Sequence, residues 1–236
     1  MKLMISVVNK QEALIAQEAH ADLIDIKNPA EGSLGAQNPM VIKEIVAALD
    51  PAVLVSATVG DVPYLPCTVA QAAYAVAGLG VTYVKVGFKG ARTGAEARSM
   101  AQEIERAIAP FAGVKLIAAG YADFRERGTL SPLDLVHAVR GTGVSGVLVD
   151  TLSKDGRNLF DFMSDQELTQ LVTSAHECDL LCALAGSIEI QHVGRLLDIG
   201  ADVSGVRGAI CGGGRTGTLV PAKIEAFLSV LGSPVA

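Results

Sequence analysis

The sequence predicts an α/β protein, a single (β/α)8 TIM barrel over residues 1–236, and three observations lead to this prediction. Short apolar runs rich in β-branched residues alternate with longer amphipathic stretches. The chain contains eight such runs at a spacing of about 30 residues, the size of one βα unit. The runs are apolar along nearly their whole length, which is typical of parallel strands covered on both faces.

The individual elements follow from these patterns. The eight runs predict strands at Leu3–Val8, Leu23–Ile26, Val53–Thr58, Tyr83–Val86, Val114–Ala119, Gly146–Val149, Leu181–Ala185 and Val203–Val206. Apolar residues at three- and four-residue steps predict helices that include Gln11–Ala19, Val41–Leu49, Ala95–Ala109, Asp165–Glu177 and Ile190–Ile199. An open doubly wound sheet is the alternative. The G-x-G-x-x-G at Gly141 to Gly146 precedes a strand instead of following one, so we interpret it as a helix exit and not as a dinucleotide site.

Composition narrows the class of protein further. The chain has 19 Lys and Arg against 25 Asp and Glu, and it has no basic run, so neither nucleic acid nor a membrane is a predicted partner. Its N-terminal apolar segment is too short for a signal sequence or a membrane span. The four cysteines have irregular spacings without a zinc pattern. These features predict a cytoplasmic enzyme without a metal or a cofactor.

The second predicted strand carries charges where a barrel strand is usually apolar. Side chains alternate across a strand, so Asp25 and Lys27 point one way while Ile24 and Ile26 point the other. The isoleucines suit the outer face, packed against helices. The alternation therefore predicts that Asp25 and Lys27 lie inside the barrel.

Two further strands repeat this feature. In the fourth strand Lys85 points away from Val84 and Val86, and the sixth strand ends at Asp150, with Lys154 in the following loop. Alternate strands of a barrel contribute to the same interior layer, so Lys27, Lys85 and Asp150 are expected to converge near the C-terminal mouth. Burial and a neighbouring cation lower the pKa of a lysine, and a neutral amine attacks carbonyl groups. We favour this catalytic interpretation over purely structural ion pairs.

Glycine-rich loops follow the seventh and eighth strands. In barrels these two loops commonly form a phosphate site. The candidate phosphate-binding residues are Gly186, Ser187, Arg207, Gly208, Gly212, Gly213 and Gly214, and Arg215 offers a second guanidinium. Glycines that serve only as turns are the alternative.

Two other loops and the histidines are less informative. The segments Ser56–Asp61 and Gly120–Arg125 are predicted to follow the third and fifth strands, where their polar groups could contact substrate, or Asp61 and Asp123 could cap helices. The four histidines fall in helical stretches, which predicts an outer position. Lys115 lies early in its strand and is expected to be solvated.

Seven segments of the chain carry a resemblance to a known family. They are residues 22–36 (DLIDIKNPAEGSLGA), 56–64 (SATVGDVPY), 83–87 (YVKVG), 118–123 (AAGYAD), 149–161 (VDTLSKDGRNLFD), 180–188 (LLCALAGSI) and 205–215 (GVRGAICGGGR). Together they resemble (5-formylfuran-3-yl)methyl phosphate synthase, which makes the furan precursor of the coenzyme methanofuran. The resemblance implies a (β/α)8 barrel that condenses two glyceraldehyde 3-phosphate molecules with loss of one phosphate and two waters.

The resemblance also implies roles for individual residues. Lys27 matches the Schiff-base lysine of that family and Lys85 its proton acceptor, with Lys85 expected to be neutral beside cationic neighbours. Asp25, Asp150 and Lys154 match supporting groups. Two rival functions stay open, a class I aldolase for another sugar phosphate and a non-catalytic phosphate-binding barrel. A homo-oligomer is compatible with the alanine-rich helical faces, although no contact seam is identifiable.

Overall fold

A computed structural model describes residues 1–232, in which eight parallel strands close into a barrel in chain order. The strands are β1 (Lys2–Val7), β2 (Leu23–Ile26), β3 (Val55–Asp61), β4 (Tyr83–Gly87), β5 (Lys115–Tyr121), β6 (Gly146–Asp150), β7 (Leu181–Leu184) and β8 (Val203–Val206). The last strand pairs with the first, so no open edge is left between them. The predicted fold class is confirmed, and the doubly wound alternative is excluded. The final four residues of the predicted domain, 233–236, lie outside the described chain.

Helices lie between the strands and pack around the barrel. They are α1 (Lys10–Glu18), α2 (Pro39–Ala48), α3 (Pro66–Ala77), α4 (Gly94–Ile108), α5 (Phe124–Arg127), α6 (Pro132–Val139), α7 (Leu159–Phe162), α8 (Asp165–Glu177), α9 (Val193–Ile199) and α10 (Pro221–Val230). Side-chain capping explains where several of these helices start. Thr93 and Glu96 form a capping box at the start of α4, and Ser164 and Glu167 form another at the start of α8.

The apolar core has two parts. A large cluster between the strands and the helices contains Leu3, Ile5, Ile24, Ile26, Val84 and Val86, as the strand alternation predicts. A small cluster fills the barrel interior and contains Met4, Leu34, Ile117, Ala119, Tyr121 and Leu148. Because Leu34 comes from the loop after β2, this loop reaches into the barrel mouth and closes part of it.

Several local predictions differ from the structure. Asp61 is the last residue of β3 and not part of a following loop, because the strand continues through Gly60 with a shift of register between Thr58 and Asp61. Asp61 therefore caps no helix. Asp123 occupies the N-cap position of α5, but its side chain makes no capping hydrogen bond. The predicted helix at Ile190–Ile199 begins with a 3-10 turn at Ile190–His192, and α9 covers only Val193–Ile199.

The chain after β8 departs most from a simple βα unit. A 3-10 turn at Gly208–Ile210 leads into a small antiparallel hairpin, β9 (Cys211–Gly212) and β10 (Thr218–Leu219), before α10 begins. Across residues 1–232, every helix is too short or too polar to cross a membrane. Lys115 is the exposed first residue of β5, and each histidine lies on a helix or at a helix end, as expected.

Candidate active site

Strands β2, β4 and β6 bring four charged side chains together inside the barrel. Lys85 Nζ lies 2.5 Å from Asp25 Oδ1, and Lys27 Nζ lies 3.9 Å from Asp150 Oδ2. All four residues are buried, with exposed fractions of 9% or less. The convergence predicted from strand alternation is therefore present in the structure.

The Asp25 carboxylate is held by three strands at once. Its two oxygens accept hydrogen bonds from the Ser6 hydroxyl at 3.0 Å and the Ser56 hydroxyl at 2.7 Å. Ser6 on β1 and Ser56 on β3 are the direct strand partners of Asp25. Burial by itself raises the pKa of Asp25, but the ammonium groups of Lys85 and Lys27 and these hydrogen bonds hold that pKa below its ordinary value. Asp25 is thus a fixed anion.

Lys27 follows β2 directly and lies beneath the loop that extends from the same strand. Its ammonium donates to the Ser33 carbonyl at 3.4 Å. Burial lowers the pKa of Lys27 to about 8, assisted by the positive charges of Lys85 and Lys154 and opposed by Asp150 and Asp25. A substantial fraction of this amine is therefore neutral near physiological pH and able to act as a nucleophile.

Lys85 lies on β4 and is buried inside the barrel, as the strand alternation predicts. Its Nζ atom contacts Asp25 Oδ1 directly, at 2.5 Å. Met4 Sδ lies 3.9 Å from the same Nζ atom. Lys85 is therefore held against the Asp25 carboxylate inside the barrel.

Asp150 connects Lys27 to the mouth of the barrel. Its Oδ1 atom accepts from Lys154 Nζ at 2.8 Å and from the Thr151 backbone N–H at 2.7 Å. Burial raises the pKa of Asp150, but the charges of Lys154 and Lys27 outweigh burial and hold the pKa well below its usual range. Lys154 also donates to the Thr151 hydroxyl, at 3.1 Å, and its ammonium is partly exposed.

These charged groups line a cavity of about 330 Å³ at the C-terminal end of the barrel. Five basic side chains and three carboxylates line it, so basic groups outnumber acidic ones in this cavity. A cavity of this size with an excess of basic groups suits a small anionic ligand. The cavity lining includes all five predicted catalytic residues together with Gly186, Ser187, Arg207, Gly208, Gly214 and Arg215.

The loop after β7 presents backbone to this cavity. Gly186 and Ser187 both have positive φ angles, 110° and 51°, which turn the chain toward the cavity. Gly208 begins the 3-10 turn after β8 and lies on the same side. By contrast, Gly212 and Gly213 belong to the hairpin and do not contribute to the lining, so only Gly214 of that run reaches the cavity.

Arg207 lines the cavity, but its guanidinium is already occupied. It forms a buried ion pair with Glu12 at 2.8 Å and donates to the backbone carbonyls of Ser6, Arg215 and Gly217. Because every N–H group of the fork has a protein acceptor, Arg207 holds the hairpin in place and has no donor left for a phosphate. Within residues 1–232, the Arg215 guanidinium donates one hydrogen bond, to the Gly32 carbonyl at 2.8 Å, so its other N–H groups have no acceptor in that part of the chain.

Sequence reasoning missed some residues that shape the site. Ser6 and Ser56 orient Asp25, and strand register would have suggested them once the barrel was assumed. Asp123 accepts hydrogen bonds from the Leu152 and Ser153 backbone N–H groups, so it shapes the loop that carries Lys154. No local sequence signal indicates this last contact.

Known structures share the fold. A 3-hexulose-6-phosphate synthase superimposes with a TM-score of 0.67 at 17% identity, covering 98% of this chain and 99% of the other. Phosphoribosyl anthranilate isomerase from Thermotoga maritima superimposes with a TM-score of 0.64 at 16% identity, covering 98% of both chains. At such low identity these similarities establish the barrel architecture alone.

Sequence comparison is more specific. The model of a family described as 4-HFC-P synthase matches residues 3–228. A (5-formylfuran-3-yl)methyl phosphate synthase from Methanopyrus kandleri is 47% identical over 211 residues, 89% of either chain. The protein of that name from Methanosarcina barkeri is 40% identical over 230 residues, 97% of this chain and 98% of the relative.

Fold and site together define a (β/α)8-barrel enzyme whose buried lysines and aspartates meet at the C-terminal mouth of the barrel. Within that class, the chain belongs to the (5-formylfuran-3-yl)methyl phosphate synthase family, because the match extends over nearly its whole length.

Proposed function

We propose that this enzyme is a lyase that condenses two glyceraldehyde 3-phosphate molecules into (5-formylfuran-3-yl)methyl phosphate, for methanofuran biosynthesis. The names of its relatives support the product. The observation that carries the proposed chemistry is the buried Lys27 amine, whose pKa is lowered to about 8. A lysine in this state is suited to form an imine with an aldehyde.

The first step is the formation of this imine. The neutral Lys27 amine attacks the aldehyde carbon of one triose phosphate, and a carbon–nitrogen bond forms as the carbonyl oxygen takes up a proton. Loss of that oxygen as water gives an iminium ion. Asp150 lies 3.9 Å from the amine, where its carboxylate stabilises the positive charge.

The second step removes the proton from the carbon next to the iminium carbon. Lys85 is the acceptor in this proposal, and the Asp25 carboxylate, 2.5 Å away, stabilises the positive charge that Lys85 gains. The electrons of the broken carbon–hydrogen bond form an enamine. The enamine then expels phosphate or attacks the second aldehyde, and cyclisation with loss of two waters gives the furan. Hydrolysis of the remaining imine frees the furan aldehyde and restores the Lys27 amine, so the water lost in imine formation is returned and the net loss is one phosphate and two waters.

The phosphate groups need cationic and N–H donors at the mouth. Lys154 and Arg215 supply the charges in this proposal, and the backbone around Gly186, Ser187 and Gly208 supplies close approach. The cavity's excess of basic groups supports this role. Arg207, Gly212 and Gly213 are left out of direct phosphate contact because of their positions in the structure.

The test is incubation of the purified enzyme with glyceraldehyde 3-phosphate. We expect near-ultraviolet absorbance from a furan aldehyde and release of one phosphate for each furan formed, with a Lys27→Ala variant as the inactive control. An open-chain sugar phosphate without phosphate release would instead identify an aldolase. Saturable binding without either product would identify a non-catalytic barrel.

A further inference from the structure

Asp61, at the end of β3, ties the loop after β2 to the barrel. One of its carboxylate oxygens accepts hydrogen bonds from the backbone N–H groups of Ser33, at 2.9 Å, and Leu34, at 3.2 Å. The other oxygen accepts the hydroxyl of Tyr121, at 2.6 Å, and the Tyr121 side chain is almost completely buried. All three bonds have a charged acceptor, which makes them stronger than neutral ones.

Two glycines leave the space that this arrangement needs. A Cβ atom on Gly32 would lie 2.5 Å from the nearer Asp61 oxygen, and φ at Gly32 is 138°. A Cβ atom on Gly87, the strand partner of Asp61, would collide with the Tyr121 hydroxyl. The contact among these elements is therefore built into the backbone on both sides.

The segment that Asp61 holds lies directly against the proposed reacting amine. The Ser33 carbonyl accepts from Lys27 Nζ at 3.4 Å, and the Ser33 hydroxyl donates to the Thr151 carbonyl at 2.8 Å. The Leu34 side chain is 1% exposed and fills the barrel interior. Without its anchor, this segment keeps the Thr151 bond, a bond from the Thr58 hydroxyl to the Leu34 carbonyl, the bond from Lys27 itself and the bond of Arg215 to the preceding Gly32.

We propose that Asp61, supported by Tyr121, is a positioning residue that holds the Ser33–Leu34 segment over Lys27 and thereby fixes the depth and direction of the Lys27 amine. Asp61 itself touches no reacting atom in this proposal. The role deepens the proposed function, since it assumes that Lys27 is the residue that forms the imine.

Release of the segment has a defined electrostatic consequence. The charged groups that face Lys27 are Asp25 on β2, Lys85 on β4, Asp150 on β6 and Lys154 after β6, and none of them belongs to the segment. Burial is the main reason for the low pKa of Lys27. If water replaces Ser33 and Leu34, the pKa of Lys27 rises from about 8 toward the ordinary lysine value.

The experiment measures Lys27 without any substrate. Reductive methylation by formaldehyde and cyanoborohydride is followed by peptide mass spectrometry at a series of pH values up to the ordinary lysine pKa. We expect a midpoint near pH 8 for the native enzyme. In Asp61→Ala the midpoint should move upward by about one pH unit or more, while Asp61→Asn keeps an acceptor oxygen for the segment and should stay near the native value.

Asp202→Ala is the matched control. Asp202 accepts a backbone N–H from Cys182 at 2.7 Å at the opposite end of the barrel, so its loss weakens the fold without reaching Lys27. We expect its Lys27 midpoint to be native. Should Asp61→Ala not fold, Tyr121→Phe removes one of the three bonds and should give a smaller shift in the same direction. A native midpoint in every folded Asp61 and Tyr121 variant overturns the proposal.

Steady-state kinetics separate this proposal from the proposed function. If the native enzyme is active, Asp61→Ala should lower kcat by about 100-fold with a smaller change in KM. The reason is that the Lys27 amine is misplaced while the residues proposed to bind the substrate phosphates keep their positions. If the native enzyme makes no furan, the proposed function fails, and the methylation midpoints still decide whether Asp61 positions Lys27.

Discussion

Lys85 and Asp25 form an ion pair of 2.5 Å at the centre of the barrel, where both side chains are nearly inaccessible to solvent. The pair joins β2 to β4, two strands that are not neighbours in the sheet. The Asp25 charge is further satisfied by hydroxyls on the strands to either side of it. The pair therefore joins two strands of the barrel and holds the proposed proton acceptor, Lys85, against a fixed anion.

Loss of Lys85 alone should destabilise the fold. Lys85→Met leaves the Asp25 carboxylate buried without its closest counter-charge, and we expect a loss of about 3–5 kcal/mol in the free energy of unfolding. The double variant Lys85→Met with Asp25→Asn removes the charge as well, and should recover much of this loss. Urea unfolding followed by circular dichroism checks both. Equal stability of the single variant and the native enzyme would contradict the buried ion pair.

The same Lys85→Met variant should separate imine formation from turnover. Lys27 keeps its burial and its contact with Asp150, so borohydride should still trap triose phosphate on the enzyme. Proton removal from the iminium needs Lys85, so furan production should fall by at least about 100-fold. The measurement pairs adduct mass with ultraviolet absorbance on one sample. A variant with native turnover would remove Lys85 from the mechanism.

The lowered pKa of Lys27 should cost stability at neutral pH. In the folded chain this pKa is about 8, below the value of 10.5 expected without burial, so between these values the unfolded chain binds a proton that the folded chain does not. Stability from this group therefore increases as pH rises through that window. Lys27→Met should be more stable than the native enzyme at neutral pH, by up to about 3 kcal/mol.

Melting temperatures at neutral pH and above pH 8 check this sign. The difference in melting temperature between Lys27→Met and the native enzyme should shrink as pH rises. Above pH 8 Lys27 is mostly neutral in the folded native enzyme, so the native fold no longer buries that charge. If the stability difference between Lys27→Met and the native enzyme stays constant with pH, side-chain packing alone explains it.

Arg207 and Arg215 should respond differently to substitution. Arg215→Ala is expected to raise KM for the triose phosphate about 10-fold or more with little change in melting temperature, since only one bond to Gly32 is lost. Arg207→Ala leaves the buried Glu12 carboxylate without its counter-charge and should lower the free energy of unfolding by about 3–5 kcal/mol. Kinetics and thermal unfolding of both variants test this. The reverse pattern would assign the phosphate to Arg207.

Strand alternation was sufficient to predict the centre of the site. Because side chains alternate with a period of two, the order Asp25, Ile26, Lys27 determines which groups face inward once a barrel is assumed. The same rule placed Lys85 opposite Val84 and Val86. The predicted strands at Leu23–Ile26 and Val203–Val206 agree with the structure residue for residue.

Other parts depend on contacts between residues far apart in the chain. Arg207 pairs with Glu12 across 195 positions, so its local glycine-rich surroundings suggested a phosphate ligand instead. Asp61 follows Gly60, and a glycine before an aspartate resembles a turn although the strand continues through both. Its partners Ser33 and Tyr121 lie on separate elements, which only the closed barrel brings together.

Borohydride trapping at Lys27 tests the central claim most directly. The native enzyme is mixed with glyceraldehyde 3-phosphate, reduced and digested, and the modified peptide is sequenced by mass spectrometry. We expect a single reduced adduct on Lys27, more abundant as pH rises toward 8, and none in Lys27→Ala. An adduct on another lysine, or an unchanged yield in Lys27→Ala, would contradict the assignment of Lys27 as the residue that forms the imine.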